Sequence, residues 1–253
     1  MAMQKLDVNA VREWVGARTV EYYQHQEDRL GQLTLGRLLQ QNPYYLSMGT
    51  TCVYHLIEGL LEAYLCSDGD ILFSTFLADL AIFIAGKTCR GHKSAATGVD
   101  LEFFSSGVHY VVSIKSGPSW GNSSQQDKLQ ADLQKAVATV KQTHHGINVQ
   151  PVLGICYGKT ATSYLRGYLK VVGQNFWYLI SGNQNLYTDI IEPVGYRARH
   201  HNDAFLDNKS CIANRFTAEF IAGFCDKTGA IDWVRLVEWN SGNLDLDDFI
   251  DIE

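Results

Sequence analysis

Residues 98–118 read GVDLEFFSSGVHYVVSIKSGP. VDLEFF (99–104) and HYVVSIK (109–115) flank a Ser-Ser-Gly at 105–107, the pattern of two antiparallel strands closed by a turn. Val111, Val112 and Ile114 give the second strand an interior character, where lysine is seldom tolerated, yet Lys115 ends it and opens onto a Ser-Gly-Pro loop. Alternate side chains of a strand share a face, so Asp100 points with Glu102 and Ser113 with Lys115. A tight turn brings both pairs onto one surface.

Two carboxylates held that close repel each other unless a cation lies between them. Oxygen donors with room for substrate phosphates suit Mg²⁺, with Mn²⁺ able to substitute. Lys115 beside the ion can orient an attacking water or neutralise charge developing on phosphorus. That set of parts is what phosphodiester hydrolysis needs, and in-line attack opposite the 3′ oxygen would leave 5′-phosphates. A plainer reading makes the same residues an ion-paired strand edge, worth ~0.2–1 kcal/mol. The interior character of the second strand weighs against it.

An acid on one strand, an x-x-Lys about a dozen residues later on its partner and then a helix resembles the core of the PD-(D/E)xK nucleases. More narrowly, GVDLEF followed by IKSGPSWGN resembles type II restriction endonucleases. The resemblance implies an α/β restriction-endonuclease-like core, a mixed β-sheet flanked by helices on both faces. It also implies a Mg²⁺-dependent homodimer that cuts double-stranded DNA at a short sequence, beside a companion DNA methyltransferase. Asp100 and Glu102 would hold the metal and Lys115 would serve the attacking water. The pattern departs at Ser113, where the usual second acid is missing, and no proline precedes Asp100. Glu102 is the first candidate to replace that acid, Glu58 or Glu62 of a preceding helix the second, and Asp127 the third.

The flanking loops carry candidate DNA contacts. Trp120, Asn122, Ser123, Ser124 and Gln125 sit where a helix begins, and its N–H groups favour phosphate, although a core role for Trp120 and simple capping are equally natural. Arg90, His92 and Lys93 precede the first strand, and Arg197 and Arg199 lie in YRARHHN (196–202), with basic, aromatic and amide groups suited to a groove. The adjacent histidines at 144–145 and 200–201 have no third ligand at metal spacing and read as surface residues.

Outward from the hairpin, the first fifty residues read as helical, and Val53, Leu56, Ile57, Leu60, Leu61 and Tyr64 form an amphipathic helix with Glu58 and Glu62 on its flank. A separate apolar segment, 76–85, ends at Gly86. Beyond the hairpin, Ser124 and Asp127 make a Ser-x-x-Asp helix start continued by Leu129, Leu133, Ala136 and Val140. VQPVLGICY (149–157) reads as a buried strand, NFWYLIS (175–181) as a further one, and the chain from about 202 to 239 as helices. Nothing marks a boundary, so 1–253 is expected to form a single nuclease domain: a helical part to about 70, a catalytic core over about 71–182, and a mainly helical remainder over about 183–253.

Bulk properties narrow the class without deciding it. With 46% of its 253 residues hydrophobic, the chain can bury a substantial core. A net charge of −6 argues against coating nucleic acid non-specifically, but five carboxylates sit in the last eleven residues and the rest is near neutral, so a basic groove remains open. The six cysteines lack zinc-knuckle spacing and read as reduced, mostly core, residues of a cytoplasmic protein. FLADLAIFIAG (76–86) is too short to cross a bilayer and is broken by Asp79, so no membrane partner is expected. Two other readings stay open: a repair, recombination or mobile-element nuclease of the same fold, and a non-catalytic DNA-binding or protein-interaction module.

Overall fold

The computed structural model describes residues 3–243 apart from His145, and only the backbone of Tyr45, 67–71, Pro193 and 195–202. The acidic tail, the side chains of Arg197, Arg199, His200 and His201, and the 144–145 histidine pair therefore lie outside the described residues in whole or in part. The elements run α1 (Val8–Gln32), α2 (Leu35–Leu38), α3 (Pro43–Ser47), α4 (Val53–Cys89), β1 (His92–Lys93), β2 (Leu101–Ser105), β3 (Val108–Lys115), α5 (Ser123–Thr143) and β4 (Asn148–Ile155). They continue with β5 (Ser163–Leu165), β6 (Tyr168–Val172), α6 (Gln174–Ser181), α7 (Leu186–Asp189), α8 (Ile191–Phe224) and α9 (Trp233–Ser241). The chain divides into two compact units: Met1–Glu21 with Asp70–His200, and Tyr22–Gly69 with His201–Glu253.

The first unit is built on a six-stranded sheet in the order β1-β2-β3-β4-β6-β5. β1, β2 and β3 pair antiparallel, β3, β4 and β6 run parallel, and β5 returns antiparallel on β6. The mixed α/β class is as expected. One face carries Leu101, Phe103, Val112 and Ile114 against Val11 and Val15 of α1, Leu80, Ile84 and neighbours of α4, and Phe176 and Ile180 of α6. The opposite face buries Val111, Val149 and Leu153 under Leu129, Leu133 and Ala136 of α5. Helices thus cover both faces, as the parallel centre of this mixed sheet requires.

Four local expectations need correction. NFWYLIS is helical, not a strand: Phe176, Trp177, Ile180 and Ser181 are buried while Tyr178 is exposed, a helical spacing. Gly182 ends it in the left-handed conformation, donating its N–H to the Tyr178 carbonyl. The sheet edge is instead the β5–β6 hairpin, turned at Arg166 and Gly167 with φ of 46° and 86°. The apolar segments at 53–64 and 76–85 are one 37-residue helix, α4, running through Gly86. Within it Leu72–Cys89 is, by length and composition, long and apolar enough to cross a membrane, contrary to the estimate from 76–86 alone. Its Phe76, Leu77, Leu80, Ala81, Ile84 and Ala85 pack into the sheet's core, which accounts for their hydrophobicity. Among the cysteines only Cys156 is buried; Cys52, Cys66 and Cys211 are exposed.

The second unit is helical among its described residues. Leu30, Leu33, Leu38, Leu39, Leu56, Ile57, Leu60 and Leu61 pack with Ile212, Phe216, Phe220 and Leu236 in one apolar cluster.

Candidate active site

The register of the β2–β3 hairpin pairs Leu101 with Val112, Glu102 with Val111 and Phe104 with His109. Residues opposite each other in an antiparallel pair share a face, so Glu102, His109, Val111, Ser113 and Lys115 project toward α5 while Leu101, Phe103, Tyr110, Val112 and Ile114 project into the core. Asp100, one step before β2, continues the pattern. Its N–H donates to the Val112 carbonyl, and its Oδ2 accepts the Ile114 N–H at 2.6 Å and the Ser113 hydroxyl at 3.4 Å. The carboxylate thereby extends the ladder as a side chain. Asp100 Oδ1 accepts no hydrogen bond among the described residues.

Lys115 closes β3, and its ammonium lies 5.5 Å from the centroid of the Trp120 ring, a cation–π contact. It has no ion-pair partner among the described residues. Behind Lys115 the strand is anchored by β4, whose continuation donates Cys156 N–H to the Lys115 carbonyl and Tyr157 N–H to that of Ser116. The turn that follows is built closely on that segment: a Cβ on Gly117 would meet the Tyr157 ring at 2.7 Å, so a larger residue would have to displace that exposed ring. Burial, with a contribution from the Asp100 charge, pushes the Cys156 thiol up to about 12, leaving it protonated and inert.

Ser113, Lys115, Trp120 and Gln125 line a cavity of about 320 Å³ together with Thr97, Gly98, Lys128, Leu129 and Asp132. Asp100 does not line that cavity but accepts the hydroxyl of Ser113, which does. A neighbouring cavity of about 460 Å³ is lined by Glu102, His109 and Lys135, and shares Thr97 and Asp132 with the first. Asp132, Lys128 and the arrangement of α5 along both cavities were not anticipated; the i, i+3, i+7 spacing of Gln125, Lys128 and Asp132 is the signal that could have found them.

The remaining candidates occupy varied places. Glu102 shares the face with Asp100, but Ser94 donates to its Oε1 at 2.5 Å and His109 Nε2 lies 2.9 Å from its Oε2. Partial burial pushes the Glu102 carboxyl up, yet the hydrogen bonds from Ser94 and His109 and the charges of His109 and His92 together hold it below the ordinary range. Asp127 is exposed and pairs with Arg166 at 2.6 Å. Glu58 and Glu62 belong to the second unit, where Glu58 accepts from Tyr54 and Glu62 pairs with Lys209. The cap of α5 is Asn122 rather than Ser124: its side chain accepts the Gln125 N–H while Gln125 Oε1 accepts the Asn122 N–H, a reciprocal capping box. Ser123 and Ser124 are exposed in the first turn. His92 and Lys93 form the exposed edge strand β1, and Arg90 sits at the end of α4 with a left-handed φ of 57°.

A model of the family of the type II restriction endonuclease EcoO109I matches residues 9–202, which include the whole hairpin, the cavity and α5. The chain belongs to this family. A search of curated proteins returned no match. As a member of the EcoO109I family, the protein is a type II DNA endonuclease, a hydrolase that cleaves DNA, and its restriction-endonuclease-like fold agrees with the mixed sheet described above. In this family member a serine, 1% exposed, stands two residues before the hairpin lysine, and its hydroxyl is turned to Asp100.

Proposed function

We propose that the protein is a sequence-specific, Mg²⁺-dependent endonuclease that hydrolyses double-stranded DNA to 5′-phosphate ends, with Asp100 and Lys115 at its centre. The observation that carries this reading is an acid with one open oxygen and a lysine without a counter-ion among the described residues, on one sheet face beside a cavity that Ser113, Lys115 and Trp120 line.

The residues fit a hard, oxygen-seeking ion. Asp100 Oδ1 is available while Oδ2 is fixed by Ile114 and Ser113, so the carboxylate is oriented before anything binds. Among the described residues no three of His, Cys, Asp or Glu converge, so most ligands would be water and phosphate oxygens, the habit of Mg²⁺ rather than of a caged ion. The chemistry supplied by bound Mg²⁺, or by Mn²⁺ in its place, is polarisation of the phosphate and easier ionisation of water. Asp100 holds and orients that centre. Lys115 steadies the attacking water and the negative charge that grows on the phosphoryl oxygens, and Trp120 keeps the lysine chain extended toward the cavity. Ser113 fixes Asp100 in place of supplying a charge. Lys128, Gln125 and the exposed first turn of α5 are suited to phosphate, and Arg90, His92, Lys93, Arg197 and Arg199 are proposed DNA contacts outside the cavity.

The protein acts as a cytoplasmic homodimer on twofold sites in this reading, alongside a companion DNA methyltransferase that protects them. The test is to incubate the purified full chain with Mg²⁺ and plasmid DNA. Discrete bands that vanish with EDTA and with Asp100→Ala support the proposal. A smear points to a structure-specific nuclease of the same fold, and DNA binding without cutting in any divalent ion overturns the catalytic reading.

A further inference from the structure

We propose that Asp132 of α5 supplies the second carboxylate of the metal site, the one that Ser113 cannot provide; this rests on the nuclease reading above. Asp132 lines the same cavity as Ser113 and Lys115, so it faces the space in which the reacting phosphate would lie. On its own helix it stands between Lys128 and Lys135, at i−4 and i+3, where an ordinary surface aspartate pairs with lysine. It pairs with neither and makes no hydrogen bond among the described residues.

The side chain is instead turned across to the turn at Gly98, two residues before Asp100. A Cβ at position 98 would collide with Asp132 Oδ2 and lie 2.7 Å from its Cβ, so α5 approaches this closely because residue 98 is glycine, with φ of 74°. The competing carboxylates are committed elsewhere. Both Glu102 oxygens are engaged by Ser94 and His109, and Asp127 by Arg166. Ser94 also accepts the Ala96 N–H and donates its own N–H to the Asp100 carbonyl, so Glu102 braces the loop leading to Gly98 and Asp100. Glu102 is then a positioning residue, and Asp132 the ligand.

Mn²⁺ titrated into the full chain with duplex DNA present, read by electron paramagnetic resonance, separates these roles. Asp132→Asn is expected to weaken Mn²⁺ binding by about tenfold or more and to abolish cutting, with DNA affinity and melting temperature retained. Asp132→Glu should restore part of the Mn²⁺ binding. Glu102→Gln is expected to leave Mn²⁺ binding within a factor of about three, since it touches the site only through the loop. Wild-type Mn²⁺ binding in Asp132→Asn, or loss confined to Glu102→Gln, overturns the inference. If the wild-type chain cuts no DNA in Mg²⁺ or Mn²⁺, the nuclease reading itself fails; if the wild type cuts and Asp132→Asn binds Mn²⁺ normally, only the assignment of Asp132 does.

Discussion

The polar face of the β2–β3 hairpin has two ends that look alike in sequence and differ in structure. Near the turn, Glu102 meets Ser94 and His109, so an acid, a hydroxyl and an imidazole satisfy one another. At the open end, among the described residues, Asp100 has an unused oxygen, Lys115 has only the Trp120 ring, and Asp132 has no partner. A charge satisfied by its neighbours holds the fold together; a charge positioned by its neighbours yet left unmatched is kept for something that arrives from outside. The same sheet supports both, and its apolar underside makes both possible.

That shared underside gives the largest expected effect. Phe103 is 2% exposed and stacks on Tyr110 with ring centroids 4.7 Å apart, so Phe103→Ala should cost about 3–5 kcal/mol and weaken both ends together in chemical denaturation. A variant as stable as wild type would break the idea that one core supports both.

Lys115→Ala tests the open end alone. It should lower the cleavage rate about 10²–10³-fold, or further, while the denaturation midpoint barely moves, because Lys115 has no ion pair among the described residues to lose. Loss of stability instead of rate would place Lys115 with the turn end.

Glu102→Ala is the converse, expected to cost about 1–3 kcal/mol in denaturation by leaving Ser94 and His109 unmatched. The pH dependence sharpens it. Glu102 titrates lower in the folded protein than in the unfolded chain, so it stabilises fully above the unfolded carboxylate value, and that contribution disappears as pH falls through the lowered folded value. Wild-type stability should therefore fall more steeply than that of Glu102→Gln through the acid range, as followed by melting temperature; parallel curves would sink the assignment. The smallest effect belongs to the exposed Asp127–Arg166 pair, where Asp127→Ala should change stability by about 0–1 kcal/mol in the same assay and leave cleavage intact.

The hairpin was legible because its alternation and its Ser-Ser-Gly turn are local, and the charged positions stood out against buried neighbours. The sheet's far edge was not. NFWYLIS is apolar without a break, and burial on a helix face and burial in a strand look alike over seven residues; the glycines at 173 and 182 carried the decision. The site was half legible. Asp100, Ser113 and Lys115 share a face by strand geometry alone, whereas the competition among Glu102, Asp127 and Asp132 depends on how α5 lies over the sheet, a tertiary fact. Asp132 was hidden among the charges of an amphipathic helix, and Gly98, the residue that admits it, looked like an ordinary loop glycine.

Cys156, sealed beside the site with its thiol raised to about 12, has a practical consequence. Alkylating dyes and spin labels attack thiolates, so Cys52, Cys66 and Cys211 on the surface would take them while Cys156 stays unmodified. Probes could thus be hung on the outside of the enzyme with no chemistry done beneath β3.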